Sequence, residues 1–367
     1  MFDKTVARGL LGIALAATAM SARADVFNMG GTQDPTTGTW TGSASLQFVT
    51  VGSPGNAPDP ATGSVYGEVD YTHSMGKYDV TFGQYCQFLN DVATTSDPYG
   101  LYNSGMAGGA AIQLVQSGNP GNYSYSVTGS NSQGVNCPIL DVSWGDAARF
   151  CNWLQNGQPT SGTESTGTTE TGSYTLNGGT STAALMAVTR SSTATYVIPT
   201  ENEWYKAAYY DPTLNGGAGG YWKYPTKSNT TPGNTLPDTG NNANYYWNGY
   251  SLTPVGDFIL SPSPYGTFDQ GGDAWQWNQT AVVPGSSRGV RGGSYDASAA
   301  DMASSYRDSG DPSVVGAHTG FRVASTEAVP EPSTLALLGA ALAGVGAAYL
   351  RRRKAVTRHC ATLRRGL

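Results

Sequence analysis

The sequence predicts an α+β domain built of short strands, few helices and much irregular structure. Three observations lead there. Charged residues make up 13% of the 367 positions, about half the usual share of ~25%. The polar surface must therefore come from Ser, Thr and Asn together with 49 Gly and 22 Tyr, a mixture that suits turns, short strands and ordered loops better than helix bundles. Helical signals with N-terminal caps appear in only three segments. The last third is dense in aromatics and glycines, as in Tyr265–Trp277. The hydrophobic share of 39% allows a packed core, and the length fits one large domain or two ordinary ones. We find no internal repeat.

Taken in chain order, Phe27-Asn28-Met29-Gly30 opens the domain, and a Gly/Pro/Thr-rich stretch runs to Pro60. Ser64–Thr72 alternates like a strand. Phe82, Tyr85, Phe88, Leu89 and Val92 fall on one helical face with Thr81 as N-cap. Ile139–Val142 reads as a short strand. Ser143 then caps a helix from Trp144 to Leu154, Ser143 with Asp146 approximates a capping box, and Gly157 can end the helix. Gln158–Thr195 is rich in Ser, Thr and Gly and reads as a surface insertion with a hairpin around Leu176-Asn177-Gly178-Gly179. Thr200-Glu201-Asn202-Glu203 is a capping box for a helix that buries Trp204, Ala207 and Ala208, and Pro212 stops it. Trp275 and Trp277 alternate on one strand face and fill a core.

Both ends read as processing segments. Lys4 and Arg8 precede the apolar run Gly9–Met20, and Ala22-Arg23-Ala24 gives a cleavage site, so residues 1–24 are expected to be a signal peptide. Pro330-Glu331-Pro332 precedes an apolar run, Thr334–Leu350, near the lower length limit for a membrane span, and then Arg351-Arg352-Arg353-Lys354. An ordinary single-pass anchor is the alternative reading of residues 334–350, but the order of these pieces and their terminal position favour a sorting signal. The basic tail 355–367 would face the cytoplasm.

The net charge is −6. Three basic and one acidic residue precede Asp25, and seven basic and one acidic follow Val329. The remainder holds ten Lys+Arg against 24 Asp+Glu, a net of −14. Such a surface repels nucleic acid and suits a cation-rich exterior. Cys86, Cys137 and Cys151 lie in the exported part, where disulfides are permitted but their pairing stays open; Cys360 lies in the tail. No Cys-x-x-Cys or Cys/His cluster marks a structural zinc site.

Several of these segments, in this order, resemble the formylglycine-generating-enzyme (sulfatase-modifying-factor) family. They are Phe27–Gly30, Lys77–Thr81, Val142–Ala147, Pro199–Trp204, Gly272–Trp277, Arg291–Tyr295 and Gly320–Arg322. The resemblance covers residues 25–328 as one domain and implies a compact C-type-lectin-like fold with bound calcium. The tail 329–354 resembles the PEP-CTERM sorting signal. That likeness implies a temporary membrane anchor through the C-terminal helix, an exosortase-type processing partner, and final residence at the cell surface, outer envelope or matrix.

The family's first calcium site maps onto Asn244, Tyr245, Asn248 and Tyr250, with Asn248 in place of an Asp. Its second maps onto Gly271, Gly272, Ala274 and Gln276, with Gln276 in place of a Glu. Each replacement removes a charge and should weaken calcium binding. The family's oxidase chemistry places two copper(I)-binding cysteines shortly after the Gly-Gly-Ser motif, since soft thiolates select that ion. Here Ser294–Met302 holds no cysteine, and Ala297 takes the first cysteine's position, so no copper is expected. Ser294 matches a serine of the family's binding groove. His73 and His318 are the only mature histidines and read as solvated surface residues. The leading expectation is a non-catalytic binding module for an extracellular glycan or protein; the alternative is an oxidoreductase of the same family with altered chemistry.

Overall fold

The structure, a computed structural model, describes residues 27–109, 111–246 and 251–327. These belong to a unit spanning Asp25–Val329. The expected signal peptide and the sorting tail lie outside the described residues, among which no helix is long and apolar enough to cross a membrane.

The three capped helices form where their caps place them. Phe82–Val92 starts at Thr81, whose hydroxyl accepts the Gln84 amide while Gln84 Oε1 accepts the Thr81 amide, both at 3.2 Å. Trp144–Gln155 starts at the Ser143–Asp146 capping box, and Glu201–Tyr209 at the Thr200–Glu203 box. Each box satisfies amides that the first helical turn cannot pair internally. A fourth helix, Thr182–Ala187, sits inside the stretch read as an insertion.

Two four-stranded sheets carry most of the pairing among the described residues. One runs in the order Phe48–Val51, His73–Gly76, Ala324–Ser325, Tyr196–Val197, antiparallel throughout. The other runs Asp308–Gly310, Ser287–Arg291, Trp275–Val283, Thr319–Phe321, and its last pair is parallel. Both sheets take a strand from the chain's last described stretch, so the fold closes only when residues 319–325 dock. The core between the first two helices and this closing segment is aromatic. Phe150 lies 5.3 Å from both Phe88 and Phe321, edge to face. Burying such rings contributes roughly 1.5–3 kcal/mol each.

Several expectations need correction. Ser64–Thr72 is loop, and the strand begins at His73. Ile139–Val142 forms no regular strand; the local pairing is a bridge between Thr81 and Pro138. Gln158–Thr195 is not a surface insertion. Its Glu170, Tyr174 and Leu185 are buried, and its hairpin reduces to a bridge between Tyr174 and Arg190. Trp277 is buried and donates its indole N–H to the Val142 carbonyl at 3.0 Å. Trp275 is half-buried and packs on Tyr306 at 5.8 Å.

An ion pair pins the 158–195 stretch to the core. Arg149 Nε and Nη2 donate to the two Glu170 oxygens at 2.7 and 3.1 Å, and both side chains are nearly inaccessible. Removing one partner of such a pair strands a buried charge. Glu170→Ala should therefore lower unfolding free energy by about 3 kcal/mol or more in urea titration; a loss within surface-substitution range would mean the pair contributes nothing.

Candidate binding cleft and the buried carboxyls beside it

The turn after Ser287–Arg291 depends on two glycines. Gly292 and Gly293 have φ of +106° and +75°, conformations that L side chains rarely adopt. The chain reverses there and presents Ser294, Tyr295 and Asp296. Ser294 is fully buried, and its hydroxyl donates to Asp296 Oδ1 at 2.6 Å. Asp296 Oδ2 stands 2.9 Å from His318 Nδ1. The Tyr295 ring meets the His318 ring edge-on at 5.1 Å. His318 is carried on the segment leading into Thr319–Phe321, whose parallel pairing with Trp275–Trp277 fixes it beside the turn.

Tyr295 and His318 form one edge of a cleft of about 480 Å³. Phe82, Met106, Ile112, Leu140 and Leu252 supply its apolar lining, and Asp141 adds a carboxylate. Asp141 has φ +59°. Its carbonyl accepts from Asn103 Nδ2 at 2.5 Å, and a side chain at Gly105 would come within 2.8 Å of its carboxylate. Burial raises the Asp141 carboxyl, an effect opposed by nearby His318. Burial and the charges of Asp296 and Asp141 likewise raise the Tyr295 phenol.

Ser294 and Ala297, expected to mark the groove, sit at the base of the Asp296 turn and not in the cleft wall. His318 is not simply solvated, because it is tied to Asp296. His73 is not a surface residue at all. It is fully buried in the first sheet, with no hydrogen-bond partner for either ring nitrogen among the described residues, and burial lowers its pKa. Sequence reasoning missed Asp141 and Asp296. Nothing local in the sequence marks them, since their place depends on long-range packing.

The two expected calcium sets converge in part. Gly272 has φ +83°, and a side chain there would strike the Asn244 carbonyl at 2.1 Å, so only glycine permits this approach. The Asn244 carbonyl accepts the Asp273 amide at 2.9 Å, and Asn244 Nδ2 donates to Asp273 Oδ1 at 2.7 Å. Asn244 Oδ1 is buried without a hydrogen-bond partner among the described residues. The Tyr245 carbonyl accepts from Asn234 at 3.1 Å. Asn248 and Tyr250 lie outside the described residues. Gly271, Gly272 and Ala274 are buried in the neighbouring turn. Gln276 Oε1 already accepts Trp204 Nε1 at 2.7 Å and Arg322 Nε at 3.2 Å.

Three carboxyls surround this region: Asp79 and Asp273, both buried, and Asp269, half-buried. Arg322 is the guanidinium among them, 3.4 Å from Asp79. Burial pushes Asp79 up to about 7 against the pull of Arg322. Burial and the charges of Asp273 and Asp79 hold Asp269 well above the usual range. Burial brings Asp273 to about 6 despite hydrogen bonds from Thr253 and Asn244.

Residues 67–327 match the family model described as the sulfatase-modifying factor enzyme 1-like domain. Residues 328–354 match the PEP-CTERM protein-sorting motif. No curated protein matches the chain. Among solved structures, CarF is 20% identical over 76% of this chain and 98% of its own, with a TM-score of 0.47. Variable protein 1 of Treponema denticola is 18% identical over 82% and 100%, with a TM-score of 0.48. PvdO from Pseudomonas aeruginosa is 17% identical over 81% and 98%, with a TM-score of 0.38.

The raised carboxyls set a pH dependence. Each holds its proton in the folded state at pH values where the unfolded chain, with carboxyls near ~4, has lost it. Stability should therefore fall as pH rises from about 4 through 7. Glu203 acts oppositely. Burial would raise it, but the Arg190 hydrogen bond and charge bring it to about 2, so its contribution is lost as pH falls from about 4.5 towards 2. Thermal unfolding should peak near pH 5, with a loss of more than ~1 kcal/mol by pH 8. A melting temperature that climbs steadily from pH 5 to 8 would contradict this.

Proposed function

The chain belongs to the sulfatase-modifying factor enzyme 1-like family, and we propose that it is an exported, non-catalytic member that uses the Asp141–His318 cleft to hold an extracellular ligand. The PEP-CTERM motif implies export, an envelope-associated location and processing by exosortase-type machinery. Residues 1–24 as leader and 334–350 as temporary membrane anchor complete the proposed route.

One observation carries the binding reading: an apolar cleft of ligand size opens beside the Gly-Gly-Ser turn, and that turn brings no thiolate to it. Ala297 stands where the family's first copper cysteine would be, and none follows through Met302. Cys86, Cys137 and Cys151 are free and buried on other segments. Burial pushes the Cys86 thiol up to about 11 and the other two well above their ordinary value, which disfavours the thiolates that copper(I) needs. The residues present do not fit copper.

Acyl-transfer chemistry is disfavoured by order. A nucleophilic serine needs the histidine between itself and the carboxylate. Here Asp296 stands between Ser294 and His318, so His318 is not placed to take the serine proton. The same arrangement suits a rigid polar edge for binding. The ligand class that fits is a protein or glycan presenting an apolar group with polar neighbours.

Calcium is part of the proposal at the first family site. Asn244 Oδ1 is a buried oxygen in want of a donor or cation, and the excess of carboxyls over guanidinium around Asp273 favours a cation there. Gln276 offers no comparable oxygen, so the second site is not included.

Two measurements check this. The purified exported chain, screened on glycan and protein arrays, should capture a ligand, and Ala317→Trp, at the exposed rim of the cleft, should abolish capture without changing the fold. Capture unaffected by that change, or turnover of a cysteine-containing peptide, would defeat the reading. Saturating calcium should raise the melting temperature by roughly 5 °C, and Asn244→Ala should lower that gain; equal gains in both proteins would exclude the Asn244 site.

A further inference from the structure

Glu164 is a buried carboxylate beside the loop that follows the first helix, and nothing in the proposed function uses it. Its residue is 9% exposed, and both carboxylate oxygens are buried without a hydrogen-bond partner among the described residues. A carboxylate taken out of water this way must be neutralised by a proton, an ion pair or a metal. Arg149 lies within electrostatic reach, but its Nε and Nη2 are committed to Glu170 and the Gly179 carbonyl. What faces Glu164 is a second carboxylate, Asp97, close enough for the two to share a proton.

The backbone builds this juxtaposition. The Thr95 amide donates to the Gly162 carbonyl at 2.9 Å, and the Gly162 amide donates to the Asp91 carbonyl at 2.8 Å. Asp97 and Glu164 each follow this junction by two residues. Gly162 has φ +70°, and a side chain there would meet Thr94 Oγ1 at 2.5 Å, so glycine is what lets the two loops approach. Asp97 is preset as well. Its Oδ1 accepts the Leu101 amide at 2.7 Å and its Oδ2 the Tyr102 amide at 2.9 Å, which fixes the carboxylate plane and leaves each oxygen a further lone pair.

We infer that Glu164 and Asp97 form a binding site for a divalent cation of the calcium type, with Glu164 as the chelating ligand. A shared proton would serve one Glu164 oxygen and leave the other unpartnered, whereas a hard cation held by both oxygens satisfies the pair. Loop carbonyls and water would complete the shell, as hard cations require. Burial and the Asp97 charge push the Glu164 carboxyl to about 10 when no cation is present. The exported part's net charge of −14 also favours cation uptake over anion binding.

The test uses the full exported chain and separates this site from Asn244. Calcium is titrated by calorimetry, and terbium by tyrosine-sensitised luminescence, into the parent, Glu164→Gln, Asp97→Asn and Asn244→Ala. Glu164→Gln keeps shape and removes charge, so it should fold, with melting in EDTA reporting that directly. The inference predicts that Asn244→Ala retains a binding event, and that Glu164→Gln and Asp97→Asn each weaken that event at least tenfold. Two results would overturn it: Glu164→Gln binding calcium and terbium like the parent, or Asn244→Ala losing all binding. If Glu164→Gln is instead more stable than the parent and responds equally to calcium, the pair holds a proton and the site is refuted.

Discussion

The Arg322 guanidinium is the tie on which the rest of the structure depends. It is fully buried. Nη1 donates to the Gly76 carbonyl at 2.7 Å, Nη2 to the Phe268 carbonyl at 2.6 Å, and Nε to Gln276 Oε1 at 3.2 Å. One side chain thereby joins a strand of the first sheet, the loop before the aromatic motif and a strand of the second sheet. A fold with short strands and long loops has few backbone ladders to hold it. Buried arginines that crosslink carbonyls take over that work, as Arg149 and Arg291 also do. Such groups are tolerated only when every donor finds a partner.

The same closing segment builds the cleft. The Trp275 amide donates to the His318 carbonyl at 2.9 Å, so docking of residues 318–323 sets the second sheet, the Asp296–His318 contact and the cleft edge together. This member of the sulfatase-modifying factor enzyme 1-like family has no cysteine from Ser294 through Met302. What remains there is a shaped apolar cavity with a rigid acid–imidazole edge. That geometry is what the proposed recognition role rests on, since recognition needs a fixed surface.

Much of the fold was legible in the sequence because helix starts are local. The Thr81, Ser143 and Thr200 caps need only the next three residues, and all three helices form there. The α+β class and its family likeness were readable for the same reason, through short motifs. Strands were less legible. Ser64–Thr72 has the right alternation, but no partner strand reaches it among the described residues, while His73–Gly76 gains partners on both sides. The 158–195 stretch misled by composition: its Ser, Thr and Gly suggested solvent, yet Glu170 and Tyr174 are drawn in by Arg149 and Asn152. His73 and His318 could not be told apart in sequence, because burial of one and pairing of the other are properties of the folded surroundings. The candidate site was legible only to the level of the Gly-Gly-Ser turn; Asp141, Asp296 and Glu164 depend on contacts between distant segments.

The central claim is that this scaffold holds ligand and hard cation without redox metal. Metal analysis of the protein purified from its own export route, by inductively coupled plasma mass spectrometry, tests it most directly. The account predicts about two calcium ions per chain, one for each proposed site, with copper and iron at trace levels. One copper or iron per chain, retained through chelator washing, would contradict it.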